Sequence, residues 1–559
     1  MKENEESTLD FRSVNRLKLI VFFFALLFLI IFVRLFYIQV LNSEKYRKLA
    51  EAQHLRKIEI KAKRGEIYDR NGILLASTID SRSFAIDPLV LKQDSTIFKQ
   101  FVFFAKMLGI DSNRLGSYLN TNKKFLWLRR GLVDYPRWLD TFSFPGLIQL
   151  TEPKRIYMYG SIVSNLLGLV NIDNKGISGI EYSLDSILQG KDGYTYFLRD
   201  ARGRLIPSIE LPSQSPQNGR SVKLAIDINL QKIVSYFLRE GIVSTGAKGG
   251  CVIAINPKNG EILALANYPS FNPDSLTQLD ISFQNLYAIH FAFEPGSTIK
   301  PLVAAIAMDR GIVDDETLFD GYNGKFVYGD VQIYDEHPFS KLRLREALVY
   351  SSNVAFAQVS TLVPPDIMVD NLLKLGLGNR TGIELPAEVK GYVKRGDTLS
   401  FSQRLFLGFG YGLFVSPIQL AFAFTPLAND GVMVKPKLFH KDSSDISTDT
   451  IFKKSTVERL KQMLIKVVDE GTAVATKVDG VKIAGKTGTA QKYIAGGYSK
   501  SSYVNTFVGF LPAENPKLLI LVLLDEPKTS VYAGATAVPI FRKIVLSILN
   551  SKLAGYILN

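Results

Sequence analysis

The sequence predicts an α/β protein in three parts: an N-terminal transmembrane helix, a mixed α+β region, and a layered domain whose antiparallel sheet is flanked by helices. Three observations predict it. An apolar run near the N-terminus approaches membrane-spanning length. The second half reads as strands, then helices, then strands, the order of a layered domain rather than of βαβ units. Between the halves, residues 207–219 are rich in Pro, Ser and Gln and lack apolar periodicity, as a domain boundary does. The chain has 559 residues, enough for two to four domains at roughly 100–200 residues each.

The apolar run covers residues 17–40. Residues 19–33 carry no charge. Arg34 interrupts the run, but a long Arg near a helix end snorkels to the headgroups. Residues 35–40 then extend the span to about 36 Å. Neither a core helix nor a cleaved signal peptide fits as well, because the run is long and no small-residue cleavage site follows it. Flanking charge does not orient the helix: Lys2, Arg12, Arg16 and Lys18 precede it, while Lys45, Arg47, Lys48, Arg56 and Lys57 follow. Residues 41–63 have helical spacing. In residues 64–76, Asp-Arg-Asn-Gly marks a tight turn between short strands.

Beyond the boundary, 221–242 reads as a strand and an amphipathic helix. Residues 249–269 read as two strands joined at Asn259-Gly260. Residues 481–527 return to strands, and the chain ends in a helix near 536–551.

Composition excludes several chemistries. One cysteine, Cys251, rules out an intrachain disulfide framework and Cys-rich zinc sites. Four scattered histidines lack the spacing of a metal centre. The net charge of +14 suits a polyanion or a membrane surface, but no nucleic-acid-binding module accompanies it. No metal or organic cofactor is expected.

Three short motifs carry the chemistry. In Phe293-Glu-Pro-Gly-Ser297-Thr-Ile-Lys300, Ser297 opens an apolar helix. Lys300, three residues on, shares its face. A buried Lys loses charge readily, so this pair offers a nucleophile and a base. Tyr350-Ser351-Ser352-Asn353 supplies a second hydroxyl and an amide. Ala484-Gly485-Lys486-Thr487-Gly488-Thr489 reads as a strand in which Gly488 lets a substrate backbone lie close. A second Lys facing the first depresses its pKa further. Each motif alone is weak.

In this order, the three resemble the S-x-x-K, S-D-N and K-T-G set of penicillin-binding proteins and class A β-lactamases. The resemblance spans almost the whole chain. RGEIYDRNGILLA (64–76), GISGIEYSLDSILQGKDG (176–193), NPKNGEILALANYPSFNP (256–273) and GFGYGLFVSPIQLAFAFTPLANDG (408–431) are similar to segments of class B penicillin-binding proteins. The chain departs from them at Arg155-Ile-Tyr-Met-Tyr, where relatives carry R-x-Y-P, and at Ser416-Pro417, where they carry T-P.

The resemblance implies a monofunctional D,D-transpeptidase with a β-lactamase-like catalytic domain. The implied layout is a short cytoplasmic tail (1–16), a signal-anchor (17–40), a non-catalytic, dimerisation-like pedestal (41–215) and a transpeptidase domain (216–559). Ser297, Lys300, Ser351, Asn353 and Lys486 are then catalytic. Thr487, Gly488 and Thr489 bind substrate, and the Ser297 and Thr489 N–H groups form the oxyanion hole. Asp69, Arg70 and Glu181 form structural pairs. The implied ligands are peptidoglycan stem peptides (a D-Ala-D-Ala donor and an amine acceptor) and β-lactams.

Ser-Ser-Asn, Glu294-Pro-Gly and Asp525-Glu-Pro look septal. They imply a polytopic glycosyltransferase and other division proteins as partners, with the anchor in the bacterial cytoplasmic membrane and the catalytic domain outside. An elongation-type transpeptidase, a D,D-carboxypeptidase or β-lactamase, a β-lactam sensor and a non-catalytic division scaffold are the alternatives.

Overall fold

The computed structural model describes residues 11–558 except 112–114, 117, 119, 200–204, 208–210, 275–284, 441–447 and 495–496. Residues 1–10 of the expected tail lie outside the described residues. The contacts define two compact units, one made of residues 1–62 and 191–217, the other of 63–190 and 218–559.

In the first unit, the helix Phe11–Phe36 runs into a wider turn, Tyr37–Leu41. Val14–Leu41, 28 residues, is long and apolar enough to cross a membrane, spanning about 42 Å. Its apolar side chains are exposed, as a lipid-facing helix requires. The Arg34 guanidinium lies 5.6 Å from the Tyr37 ring centre, one turn away. The helical spacing expected over 41–63 holds only for Ser43–His54. Leu55–Ile60 is a strand, because Ile58 and Ile60 alternate with charged neighbours at a period of two. It pairs antiparallel with Gly193–Arg199. Leu205–Pro207 and Ser213–Gln214 join the same sheet, so the stretch read as a domain boundary, 207–219, begins at the end of one short strand and carries another.

The second unit opens with a five-stranded sheet around the long strand Leu74–Ile86. The helix Ser95–Met107 packs Phe101 and Phe104 against Phe84 and Phe144. Asp69, Arg70 and Glu181, expected to form structural pairs, each have partners of their own. Asp69 is fully buried and accepts from the backbone N–H groups of Asn71, Ile73 and Ile228. It builds the predicted turn and ties it to the following region. Arg70 turns instead to Glu261, 3.3 Å away. Glu181 is held by Arg64 at 2.5 Å and Arg155 at 2.7 Å.

The catalytic sheet has five antiparallel strands: β1 (Gly249–Ile255), β2 (Ile262–Tyr268), β3 (Ala484–Ile494), β4 (Gly497–Leu511) and β5 (Leu518–Asp525). Their spatial order is β2-β1-β5-β4-β3. The first and last segments of the domain therefore meet at β1–β5, which explains why the strand signals sit at its two ends. Asn259-Gly260 turns the β1–β2 hairpin, with Gly260 at φ +78°. Cys251 is buried on β1, and burial pushes its thiol pKa upward, so it is an inert core residue.

Helix α1 (Ile228–Thr245) is capped by Asp227, whose carboxylate accepts from the N–H groups of Asn229 and Leu230. Helix α2 (Lys300–Asp309) is buried over Lys300–Met308, α3 (Asn353–Leu362) lies beside it, and α4 (Lys454–Asp469) is amphipathic. The last helix, α5 (Ala537–Leu549), packs against α1. A Cβ on Gly241 would stand 2.1 Å from Ile540 Cδ1, so the glycine permits that close crossing. β3 is the edge strand, and it runs beside the start of α2.

Candidate active site

Ser297 sits in a single 3₁₀ turn, Gly296–Ile299, that runs directly into α2. The expected helix start is thus right in place and tighter in form. Gly296 has φ +53°, a conformation that costs glycine little. Its N–H donates to Gly410 O at 3.2 Å. A Cβ on Gly410 would come within 2.1 Å of Gly296 O. Two glycine turns therefore lie back to back and fix the nucleophile's turn.

Gly488 is closed off in the same way. Its missing Cβ would meet Thr298 Cγ2 at 2.7 Å and Pro295 O at 3.0 Å. The expectation that this glycine leaves room for a substrate is corrected: it leaves room for the nucleophile's own turn. Thr487 and Thr489, on the alternate positions, reach the cavity wall. The Thr487 and Thr472 hydroxyls are hydrogen-bonded at 2.6 Å. Thr489 Oγ1 accepts from Ala533 N–H at 3.1 Å.

The second motif divides its labour. Ser351 has φ +59°, unusual for a residue with a side chain. That conformation turns its carbonyl to Lys300 Nζ at 2.6 Å. Ser352 caps α3, accepting from Ala355 N–H. Asn353 Oδ1 accepts from Lys300 Nζ at 2.8 Å. Asp335, which sequence reasoning missed, accepts from Ser352 Oγ and from the N–H groups of Asn353 and Val354. It holds the motif in place. An acid in a loop outside the three motifs gave no signal of this.

The centre of the site is the Ser351 hydroxyl. Lys486 Nζ donates to it at 2.9 Å and Lys300 Nζ at 3.2 Å. Both lysines are fully buried. Lys300's remaining partners are neutral oxygens, and Lys486 also donates to Thr487 O. Burial, and then the charge of Lys486, push Lys300 well below the ordinary lysine range. Burial lowers Lys486 to about 7. The weaker charges of Asp335 and Glu336 act the other way on Lys300, as does Glu336 on Lys486.

A cavity of about 520 Å³ opens over this cluster, lined by Ser297, Ser351, Asn353, Thr487 and Thr489 together with Glu336, His337, Tyr411, Tyr503 and Tyr532. The structure therefore gathers all eight sequence-predicted residues at one place. Five stand on the wall, the two lysines lie beneath it, and Gly488 packs behind.

The comparisons with known proteins agree with this geometry. Residues 250–546 match the family described as penicillin binding protein transpeptidase domain. The chain belongs to the penicillin-binding transpeptidase family. Residues 59–224 match the penicillin-binding protein dimerisation domain, so this penicillin-binding protein has the two-part build of class B. It is 31% identical to a protein named probable peptidoglycan D,D-transpeptidase PenA from Neisseria gonorrhoeae, over 98% of this chain and 95% of the relative. It is 32% identical to the peptidoglycan D,D-transpeptidase FtsI of Buchnera aphidicola, over 94% and 93%. Its fold is similar to the crystal structure of penicillin binding protein 3 from Mycobacterium tuberculosis complexed with aztreonam. That similarity has a TM-score of 0.68 and 26% identity, covering 88% of this chain and 97% of the other.

Glu294, just before the nucleophile's turn, is also placed by this penicillin-binding protein's fold. It is buried, and accepts from Gly412 N–H at 2.7 Å and Tyr498 OH at 3.0 Å. Burial raises its pKa. It fastens the β4 strand and the glycine loop to the turn that carries Ser297.

Proposed function

We propose that this protein is a serine-type peptidoglycan D,D-transpeptidase of septal wall synthesis, acylated by β-lactams. The observation that carries the mechanism is one hydroxyl, Ser351 Oγ, within hydrogen-bonding reach of two buried lysines that have no ion-pair partner among the described residues. Lys300, uncharged, takes the proton of Ser297 Oγ as that oxygen attacks the penultimate D-Ala carbonyl. The Ser297 and Thr489 N–H groups hold the developing oxyanion. Lys486, through Ser351, delivers a proton to the departing amine, so the C–N bond breaks and D-Ala leaves. The Thr487 and Thr489 hydroxyls, with Lys486, receive the substrate's terminal carboxylate. An amine from a second stem peptide attacks the ester, its proton passes to Lys486, and Lys300 returns its proton to Ser297 Oγ as the ester C–O bond breaks and the amide cross-link forms.

β3 suits this role as an edge strand, since an extended peptide adds to a free edge by backbone pairing. Residues 1–16 form the cytoplasmic tail, 17–40 the single membrane span, 41–215 the pedestal and 216–559 the transpeptidase domain, on the outer side of the cytoplasmic membrane. The relatives named for FtsI support the septal assignment. The partners are a polytopic glycosyltransferase and other division proteins, met through the anchor and pedestal.

Intact mass after incubation with a penicillin tests the reading. The expected result is an adduct of one drug mass, absent in Ser297→Ala. A folded chain without an adduct would contradict it.

A further inference from the structure

The cavity over Ser297 has two chemically unlike walls. On the β3 side stand the Thr487 and Thr489 hydroxyls, with Lys486 beneath. On the other side is the loop between the strands Val331–Tyr334 and Lys341–Arg343. There, Glu336 carries the one acidic side chain on the wall among the described residues. Its carboxylate makes no hydrogen bond or ion pair with any described residue, and it is exposed. Its neighbour Asp335 is wholly engaged by the second motif, and Asp335 N–H donates to Gly324 O at 3.0 Å. Asn353 Nδ2 donates to Tyr334 O at 3.0 Å. The two residues before Glu336 are thus held, Tyr334 by Asn353 and Asp335 by the second motif and Gly324, and Glu336 extends to the cavity from that platform. Both lysines sense its charge.

An unpaired carboxylate held at the mouth of a site that consumes an amine has an evident ligand. Resting on the transpeptidase reading above, we propose that Glu336 binds the ammonium group of a stem peptide. That group has two sources: the acceptor amine that resolves the acyl-enzyme, or a free side-chain amine on the donor peptide. If it is the acceptor, Glu336 concentrates the amine beside the ester and favours cross-linking over hydrolysis. The ammonium gives up one proton to bulk water before the nitrogen attacks, a second passes to the lysine pair as the amide forms, and the carboxylate stays unchanged. If it is the donor, Glu336 selects which stem peptide acylates Ser297.

Two ratios separate the sources, and each cancels changes in overall rate. The full chain in detergent is given a D-alanyl thioester donor with D-alaninamide as acceptor, and the aminolysis-to-hydrolysis product ratio is measured. Separately, kcat/KM is compared for Nα-acetyl-Lys-D-Ala-D-Ala and its Nα,Nε-diacetyl counterpart. Glu336→Gln is expected to lower one of these ratios about three- to tenfold, the scale of an exposed to half-desolvated charge pair, and Glu336→Asp to restore part of it. A fall in the first assigns the acceptor, and a fall in the second the donor. If both ratios stay within twofold while the pH profile of acylation shifts, Glu336 only adjusts the lysines' charge and the proposal is overturned. If the unmodified chain forms no acyl-enzyme, the transpeptidase reading fails and this inference with it.

Discussion

The second unit buries two groups of cations, and they are solved in opposite ways. In the pedestal, Arg64 and Arg155 both grip Glu181, and Arg64 also donates to Asp185 at 2.6 Å. At the catalytic centre, Lys300 and Lys486 are equally buried but, among the described residues, donate only to hydroxyl, amide and carbonyl oxygens. Removing an ion from water costs several kcal/mol. The pedestal offsets that cost with carboxylates and keeps its charges, a guanidinium being always protonated. At the catalytic centre burial instead lowers the pKa of both lysines. Equal burial thus gives a clamp in one place and an acid–base pair in the other, and the presence of a counter-ion decides which.

Four substitutions break or sharpen this contrast. Lys300→Met removes the base, so acylation by penicillin should fall about 10³- to 10⁴-fold, measured by stopped-flow. Melting should be unchanged or higher, because an apolar chain replaces an unpaired buried amine. Glu181→Gln should do the reverse. Two buried guanidinium groups lose their shared carboxylate, and chemical denaturation should show a loss of about 3–5 kcal/mol. Acylation per folded molecule should stay within about twofold, since Glu181 touches none of the reacting groups.

Gly488→Ala should slow acylation about 30-fold, by pushing Thr298 and with it Ser297 out of line, with a smaller loss of stability. The smallest effect is a slope. Lys486 titrates near 7 when folded and near 10.4 when unfolded. Between pH 7 and 9 the unfolded chain therefore holds the extra proton, and folding is favoured as pH rises. The stability of the unmodified chain relative to Lys486→Met should rise by about 1.4 kcal/mol per pH unit in that window, read from urea unfolding at each pH.

Much of this was legible in the sequence, for physical reasons. The three motifs are short and contiguous, so the residues that react announce themselves. The strand–helix–strand order gave the layered domain, and Asn259-Gly260 gave its first hairpin. Other features depend on contacts between distant segments. Gly488 looked like a ligand-facing glycine because nothing in its strand shows Thr298 behind it. Arg155 opens the segment that departs from the family pattern at Met158, and nothing in its sequence shows that it supplies half of the grip on Glu181. Asp69 and Arg70 are adjacent in sequence, but one caps a turn and the other reaches Glu261. Asp335 and Glu336, also adjacent, differ equally: one is consumed by the second motif, the other is left free. The strand at Leu55–Ile60 was hidden by the basic helix before it.

The most direct test of the central claim is the pH dependence of the second-order rate of Ser297 acylation by a penicillin. A lysine pair that shares one proton near neutrality predicts a bell. Its rising limb should follow deprotonation of Lys300, which burial and the Lys486 charge hold well below the ordinary lysine range, and its falling limb should follow loss of the Lys486 charge near pH 7. In Lys486→Met, the falling limb should disappear. A rate that keeps rising toward pH 10, as two ordinary lysines would give, would show that burial without a counter-ion does not discharge them, and would contradict the account.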